Sequence, residues 1–218
     1  MVYTINNKMF DTDSIQTEII GSGNEGILYK IDDEAVKIYD RTCFKDRLGE
    51  GAVDILNKIP TKRILLPKNK VRDKFGNFCG YTTKYVEEVN HNPFTYTMKE
   101  YLNELKMYEQ DIYLLNQFGV CTADMTFYNI VYSKNSSIYM VDPGSFFFNN
   151  LEAIKSNHIE LNRLFIQILS FGLQSENQYR KLCSILQDEN NLHDSIKNTL
   201  DDENESITNY SLKLLNRR

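Results

Sequence analysis

The 218-residue chain has no stretch approaching the roughly 20 apolar residues that cross a bilayer. Its first residues, MVYTINNKMF, carry no basic segment leading into an apolar run. Neither membrane insertion nor a secretory route is expected, so the expected location is cytoplasmic. An excess of positive charge is also missing. With Lys+Arg 25 against Asp+Glu 30, the net charge is -5, which gives no general attraction to nucleic acid or to an acidic membrane. Cysteine and histidine are sparse. Cys43, Cys79, Cys121 and Cys183 are far apart, form no C-x-x-C pair and are accompanied only by His91, His158 and His193. This spacing excludes a zinc site and a compact disulfide framework, leaving reduced, mostly buried thiols and structural or surface histidines. No internal repeat is visible. What remains, 41% hydrophobic and 25% charged residues, is an ordinary globular composition on a chain long enough to bury a core.

The stretch GSGNEG, Gly21 to Gly26, lacks the features that two common phosphate loops require. A dinucleotide-binding loop runs directly into a helix, and a Walker loop ends in Gly-Lys-Ser/Thr. Here the flanks have period two instead. Ile15, Thr17 and Ile19 precede the glycines, Ile27, Tyr29 and Ile31 follow them, and EAVKIY is again strand-like after a turn at Asp32-Asp33. The glycines are therefore expected to join two antiparallel strands.

Farther along, apolar residues recur at helical spacing from about Cys43 to Ile59, with Gly49 and Gly51 weakening the first turn. Pro60 and Pro67 bracket a basic connector, and VRDKFGNFCGYTTKYV predicts a hairpin turning at Gly76-Asn77. EEVNHNPF then loses all periodicity and is the expected hinge. Thr97 and Glu100 form a capping-box pattern ahead of Met98, Tyr101, Leu105, Tyr108, Ile112 and Leu115, which predict a long helix closed by Gly119. Leu161, Leu164, Phe165, Ile168 and Leu169 mark another helix, with shorter ones near 177–187, 192–200 and 206–216. The aromatics of SFFF and the tyrosines of the long helix are expected in the core.

Between the helices lies TADMTFYNIVYSKNSSIYMVDPGSF. NIVY and IYMV read as the strands of a hairpin, with Asn129 starting the first and Asp142 ending the second. An amide oxygen and a carboxylate at the same open end suit Mg²⁺, which takes oxygen ligands and completes its shell with waters and phosphates. Asp124 precedes them in a loop able to return its carboxylate to the same place, as a base for a hydroxyl.

These segments, in this order, resemble the protein-kinase-like phosphotransferases. Gly21 to Leu28 (GSGNEGIL) is similar to the glycine-rich loop and Ala35-Val36-Lys37 to the strand-three lysine motif. Asp124 to Asn129 (DMTFYN) is similar to the catalytic loop and Asp142-Pro143-Gly144 to the metal-binding D-F-G. The resemblance covers residues 15–175 and implies an α+β, bilobal fold. Its antiparallel-sheet N-lobe would occupy 1–88, and a reduced, mainly helical C-lobe 89–218, of a single domain. It implies ATP and Mg²⁺ as cofactors. Gly21, Gly23 and Gly26 would approach the phosphates, Lys37 would neutralise them, and Glu50 would pair with Lys37. Leu28, Ala35 and Val131 would enclose the adenine, with Thr83, Lys84, Tyr85 and Val86 along its edge. Asn129 and Asp142 would hold the metal, with Asp124 the catalytic base.

The family's pattern is not complete. Thr122-Ala123 stands where the family has His-Arg, Thr126 where serine/threonine kinases carry lysine, and Pro143 where the metal motif has phenylalanine. No A-P-E follows. Without the arginine, activation by loop phosphorylation is not expected. The expected activity is transfer of the γ-phosphate of ATP to a hydroxyl, with a protein serine or threonine as acceptor and no nucleic-acid or membrane partner. A small-molecule phosphotransferase of the aminoglycoside or choline kinase type, and a pseudokinase interaction module, are the alternatives.

Overall fold

Residues on either side of Asn6-Asn7 alternate in polarity, and in the computed structural model they pair as a hairpin, β1 (Val2–Ile5) with β2 (Lys8–Asp11). Asn6 and Asn7 have φ of 47° and 66°. Such left-handed pairs make tight two-residue turns, and asparagine tolerates them. The structure describes residues 1–14, 17–40, 48–89, 96–134, 137–186 and 191–216.

The glycine stretch joins antiparallel strands as expected, β3 (Glu18–Gly23) and β4 (Gly26–Ile31), and Asp32 at φ 51° turns the chain into β5 (Glu34–Tyr39). Ile15 lies outside the described residues. A second expected hairpin, β6 (Asn69–Asp73) and β7 (Phe78–Lys84), turns at Gly76. All seven strands form one antiparallel sheet in the order β2-β1-β6-β7-β5-β4-β3.

The helix expected from about Cys43 is observed as α1 (Glu50–Leu56), with Gly49 as an N-cap that offers no side-chain bond. Residues 41–47, Cys43 among them, lie outside the described residues. Residues 90–94 of the expected hinge, His91 among them, do so too. The long helix, α2 (Met98–Gln117), carries the complete capping box between Thr97 and Glu100, and Gly119 turns the chain away at φ 63°. Short strand β8 (Val120–Cys121) and the hairpin β9 (Ile130–Tyr132) and β10 (Ile138–Met140) follow. β11 (Phe147–Phe148) pairs with β8 before α3 (Ala153–Leu169). The last helices are α4 (Glu176–Leu186), α5 (Leu192–Thr199) and α6 (Ile207–Asn216). The class is α+β.

Period-two alternation gives β5 two different faces. Val36 and Ile38 pack with Tyr29 and Val71 under Tyr3, Ile5 and Phe10 of the first hairpin. Tyr39, on the opposite face, joins a continuous core with Leu56 and Tyr81 that runs through Leu105, Tyr108 and Phe165 to Leu214. Apolar burial of this kind contributes about 25 cal/mol per Å² and is the main force holding the helices to the sheet. Polar anchors fix the join. The buried Asp111 carboxylate on α2 accepts from the backbone N–H groups of Lys62, Arg63 and Ile64 at 2.6 to 2.9 Å. Glu104, two turns earlier on the same face, receives Arg63 at 2.7 and 3.0 Å and the Ile138 N–H at 3.0 Å.

SFFF departs from expectation. Phe146 is buried, but Phe147 and Phe148 lie at the surface, because the edge pair β8–β11 has no layer over that face. Cys79 and Cys183 are half-buried and Cys121 is buried, none in a disulfide. No helix among the described residues is long and apolar enough to cross a membrane.

Candidate active site

Register across the sheet gathers the site. Gly21 faces Leu28, Leu28 faces Lys37, and Lys37 faces Tyr81, a row running across β3, β4, β5 and β7. The row forms one wall of a cleft of about 510 Å³, a size suited to a small ligand. The glycine hairpin covers it, Thr83 lies farther along the wall, and Tyr128, Asn129, Val141 and Asp142 close it from the other side.

Gly26 explains how the hairpin tip lies so close to β5. Its φ of 156° is one that other residues rarely adopt, and a Cβ there would sit 2.1 Å from the Ile38 carbonyl oxygen. The tip is pinned by the Asp40 N–H, which donates to the Glu25 carbonyl at 2.8 Å.

Lys37 is only 8% exposed. Its ammonium donates to Glu25 Oε2 at 2.6 Å and to Asp142 Oδ1 and Oδ2 at 2.9 and 2.8 Å. Burial acts to lower its pKa, but Asp142 and then Glu25 outweigh burial, and the net displacement is upward. The lysine stays charged at neutral pH. Tyr81 donates to Asp142 Oδ1 at 3.2 Å. Burial, reinforced by the Asp142 charge, raises the Tyr81 pKa well above that of an ordinary phenol, so it remains a donor. Asp142 also accepts the Gly144 N–H at 3.1 Å, capping the single 3-10 turn at Pro143–Ser145.

Asp124 is exposed because its neighbours are buried. Thr122 donates through its N–H and hydroxyl to Asn157 Oδ1 at 2.5 and 2.9 Å, and Met125 is fully buried. The loop between them turns out at Asp124, whose φ is 58°. Asn129 ends a 3-10 turn just before β9 and gives its Nδ2 to the Asp124 carbonyl and carboxylate at 2.9 and 2.8 Å. Its amide N–H groups are thus engaged, and its remaining polar atom is the oxygen, a ligand type that Mg²⁺ accepts. Among the described residues no group of three or more His, Cys, Asp or Glu could hold a metal ion. Asn129 and Asp142 suit a cation whose remaining ligands are waters and phosphates.

Of the expected site residues, the cleft brings together Gly21, Gly23, Gly26, Leu28, Lys37, Thr83, Asn129 and Asp142. Asp124 stands beside it, bonded to Asn129. Ala35, Lys84, Tyr85, Val86 and Val131 do not line it, although Ala35 shares the Lys37 face of β5 and pairs with Thr83. One expectation is corrected. Glu50 is bonded to Lys70 at 3.2 Å and to Arg72, clamping α1 to β6, and Lys37 takes Glu25 instead. The two cations are nearer to Glu50 because the first turn of α1 packs against β6. Ser22, Asn24, Glu25, Ile27, Tyr81, Tyr128 and Val141 also line the cleft, with no role expected of them from the sequence. Tyr81 was open to discovery through strand alternation with Thr83; Glu25 was visible only as the acid among the glycines.

No protein-family model matches the chain, and no curated protein matches it either.

Proposed function

We propose that the chain is an ATP- and Mg²⁺-dependent phosphotransferase with a bilobal, protein-kinase-like fold, moving the γ-phosphate to a hydroxyl, most readily that of a protein serine or threonine. The observation that carries this reading is the convergence of Lys37, Asp142 and the Asn129–Asp124 pair on one cleft beneath a glycine hairpin. Strand order supports it, since β3 to β7 place a glycine hairpin, a lysine strand and a neighbouring strand side by side.

ATP would supply the phosphoryl group, and Mg²⁺ would neutralise charge on its phosphates. Asn129 and Asp142 would hold the cation through oxygen. Lys37, kept protonated, offsets negative charge on the phosphates, and backbone N–H groups of the hairpin add to that. Asp124 accepts the hydroxyl proton as the acceptor oxygen bonds to the γ-phosphorus. The bond from that phosphorus to the β-phosphate oxygen breaks, leaving ADP. Leu28 offers apolar surface to the base.

The test is transfer from γ-labelled ATP with Mg²⁺, using the whole chain alone and with cell extract. Asp124→Ala should bind nucleotide but reduce transfer by about a hundredfold or more. Transfer by Asp124→Ala at the parent rate would remove Asp124 from the chemistry. Label entering only small metabolites would move the acceptor to a small molecule. The latter reading has one structural argument, the short course from Gly144 through β11 into α3 at Ala153.

A further inference from the structure

The Lys37 ammonium donates to both oxygens of the Asp142 carboxylate and to Oε2 of Glu25. The two carboxylates differ in kind. Asp142 is a candidate metal ligand, and engaging a cation would draw its oxygens away from the lysine. Glu25 belongs to the hairpin tip, which the Asp40 N–H and the glycine conformation at Gly26 hold against β5, the strand that bears Lys37. A Cβ on Gly144 would meet Asp142 Oδ1 at 3.0 Å, and Glu25 Oε2 and Lys37 Nζ both at 3.2 Å. The three charged groups therefore close over a position with little room for a side chain. Glu50, the acid on α1, is committed to Lys70 and Arg72.

We infer that Glu25 is the positioning residue for Lys37, holding the ammonium in the cleft from the glycine hairpin itself while the donors shared with Asp142 turn to phosphate. This rests on the phosphotransferase reading. It also ties lysine placement to hairpin closure, because a lifted hairpin takes Glu25 away from Lys37.

Two readouts on the full chain test it. The first is Mg-ATP binding and label transfer by Glu25→Gln, Glu25→Asp and Glu50→Gln. Glu25→Gln should lower turnover on the order of tenfold, with Glu25→Asp recovering part of it. The second is a double-mutant cycle with Lys37→Met, read as Mg-ATP affinity by calorimetry. Glu25 bonds Lys37 directly, so Glu25→Gln should weaken binding several-fold in the parent and add little beside Lys37→Met.

Unchanged turnover in Glu25→Gln, or equal losses of affinity with and without Lys37→Met, in a parent that binds Mg-ATP, overturn this inference alone. Tighter nucleotide binding with faster transfer in Glu25→Gln also overturns it, since Glu25 would then compete with phosphate. Loss of turnover in Glu50→Gln with none in Glu25→Gln returns the role to α1. A parent that does not bind Mg-ATP overturns the phosphotransferase reading, and this inference falls with it.

Discussion

Single residues in this chain hold geometry by filling hydrogen bonds that nothing else nearby would fill. Asp111 satisfies three consecutive backbone N–H groups from inside the core, and its own burial is tolerable only because those donors surround it. Asp111→Ala should destabilise the fold by about 3 kcal/mol or more, measured by urea denaturation, because it leaves buried donors unpaired. A loss no larger than that of an exposed substitution would show that water replaces the carboxylate. Asp111 was not legible in the sequence. It stands on α2 among residues with the polar look of a solvated face, and its partners are backbone groups, which leave no mark in side-chain chemistry. Glu25 was hidden for a related reason, since which acid meets Lys37 depends on how closely the hairpin tip approaches β5. The gathering of Lys37, Asn129 and Asp142 on one cleft, with Asp124 bonded to Asn129, was legible in residue type and order.

Among the elements, the β3–β4 hairpin has the most demanding local conformation. Its closeness to β5 depends on Gly26, where a Cβ would collide with backbone and not with a movable side chain. Gly26→Ala should introduce about 1–3 kcal/mol of strain and weaken Mg-ATP binding about tenfold by lifting the tip, while the far-ultraviolet circular dichroism stays that of the parent. Parent-like affinity would show that tip position is immaterial to the cleft. Hairpins and the long helix were legible because alternation, Gly76 and the capping box at Thr97 are local signals. The first hairpin, β1–β2, carried a weaker one, two asparagines between short alternating runs.

On the scale of the molecule, the sheet and the helices share one continuous core, and polar links tie Lys37 on β5 to Asp142 after β10, and Arg63 in the connector before β6 to Glu104 on α2. A ligand in the cleft touches both sides of that join and should stabilise the whole chain by mass action. The α+β class was legible from the order of periodicities. The pairing of β1 with β6 and the packing of Tyr3, Ile5 and Phe10 against Val36 and Ile38 were not, because they depend on contacts between residues far apart in sequence. The most direct test of the central claim is a calorimetric titration of the whole chain with ATP, with and without Mg²⁺, alongside Asp142→Ala. The account predicts saturable one-to-one binding that weakens at least about tenfold when either Mg²⁺ or the Asp142 carboxylate is removed. Absence of saturation at millimolar ATP, or binding indifferent to both removals, would contradict it.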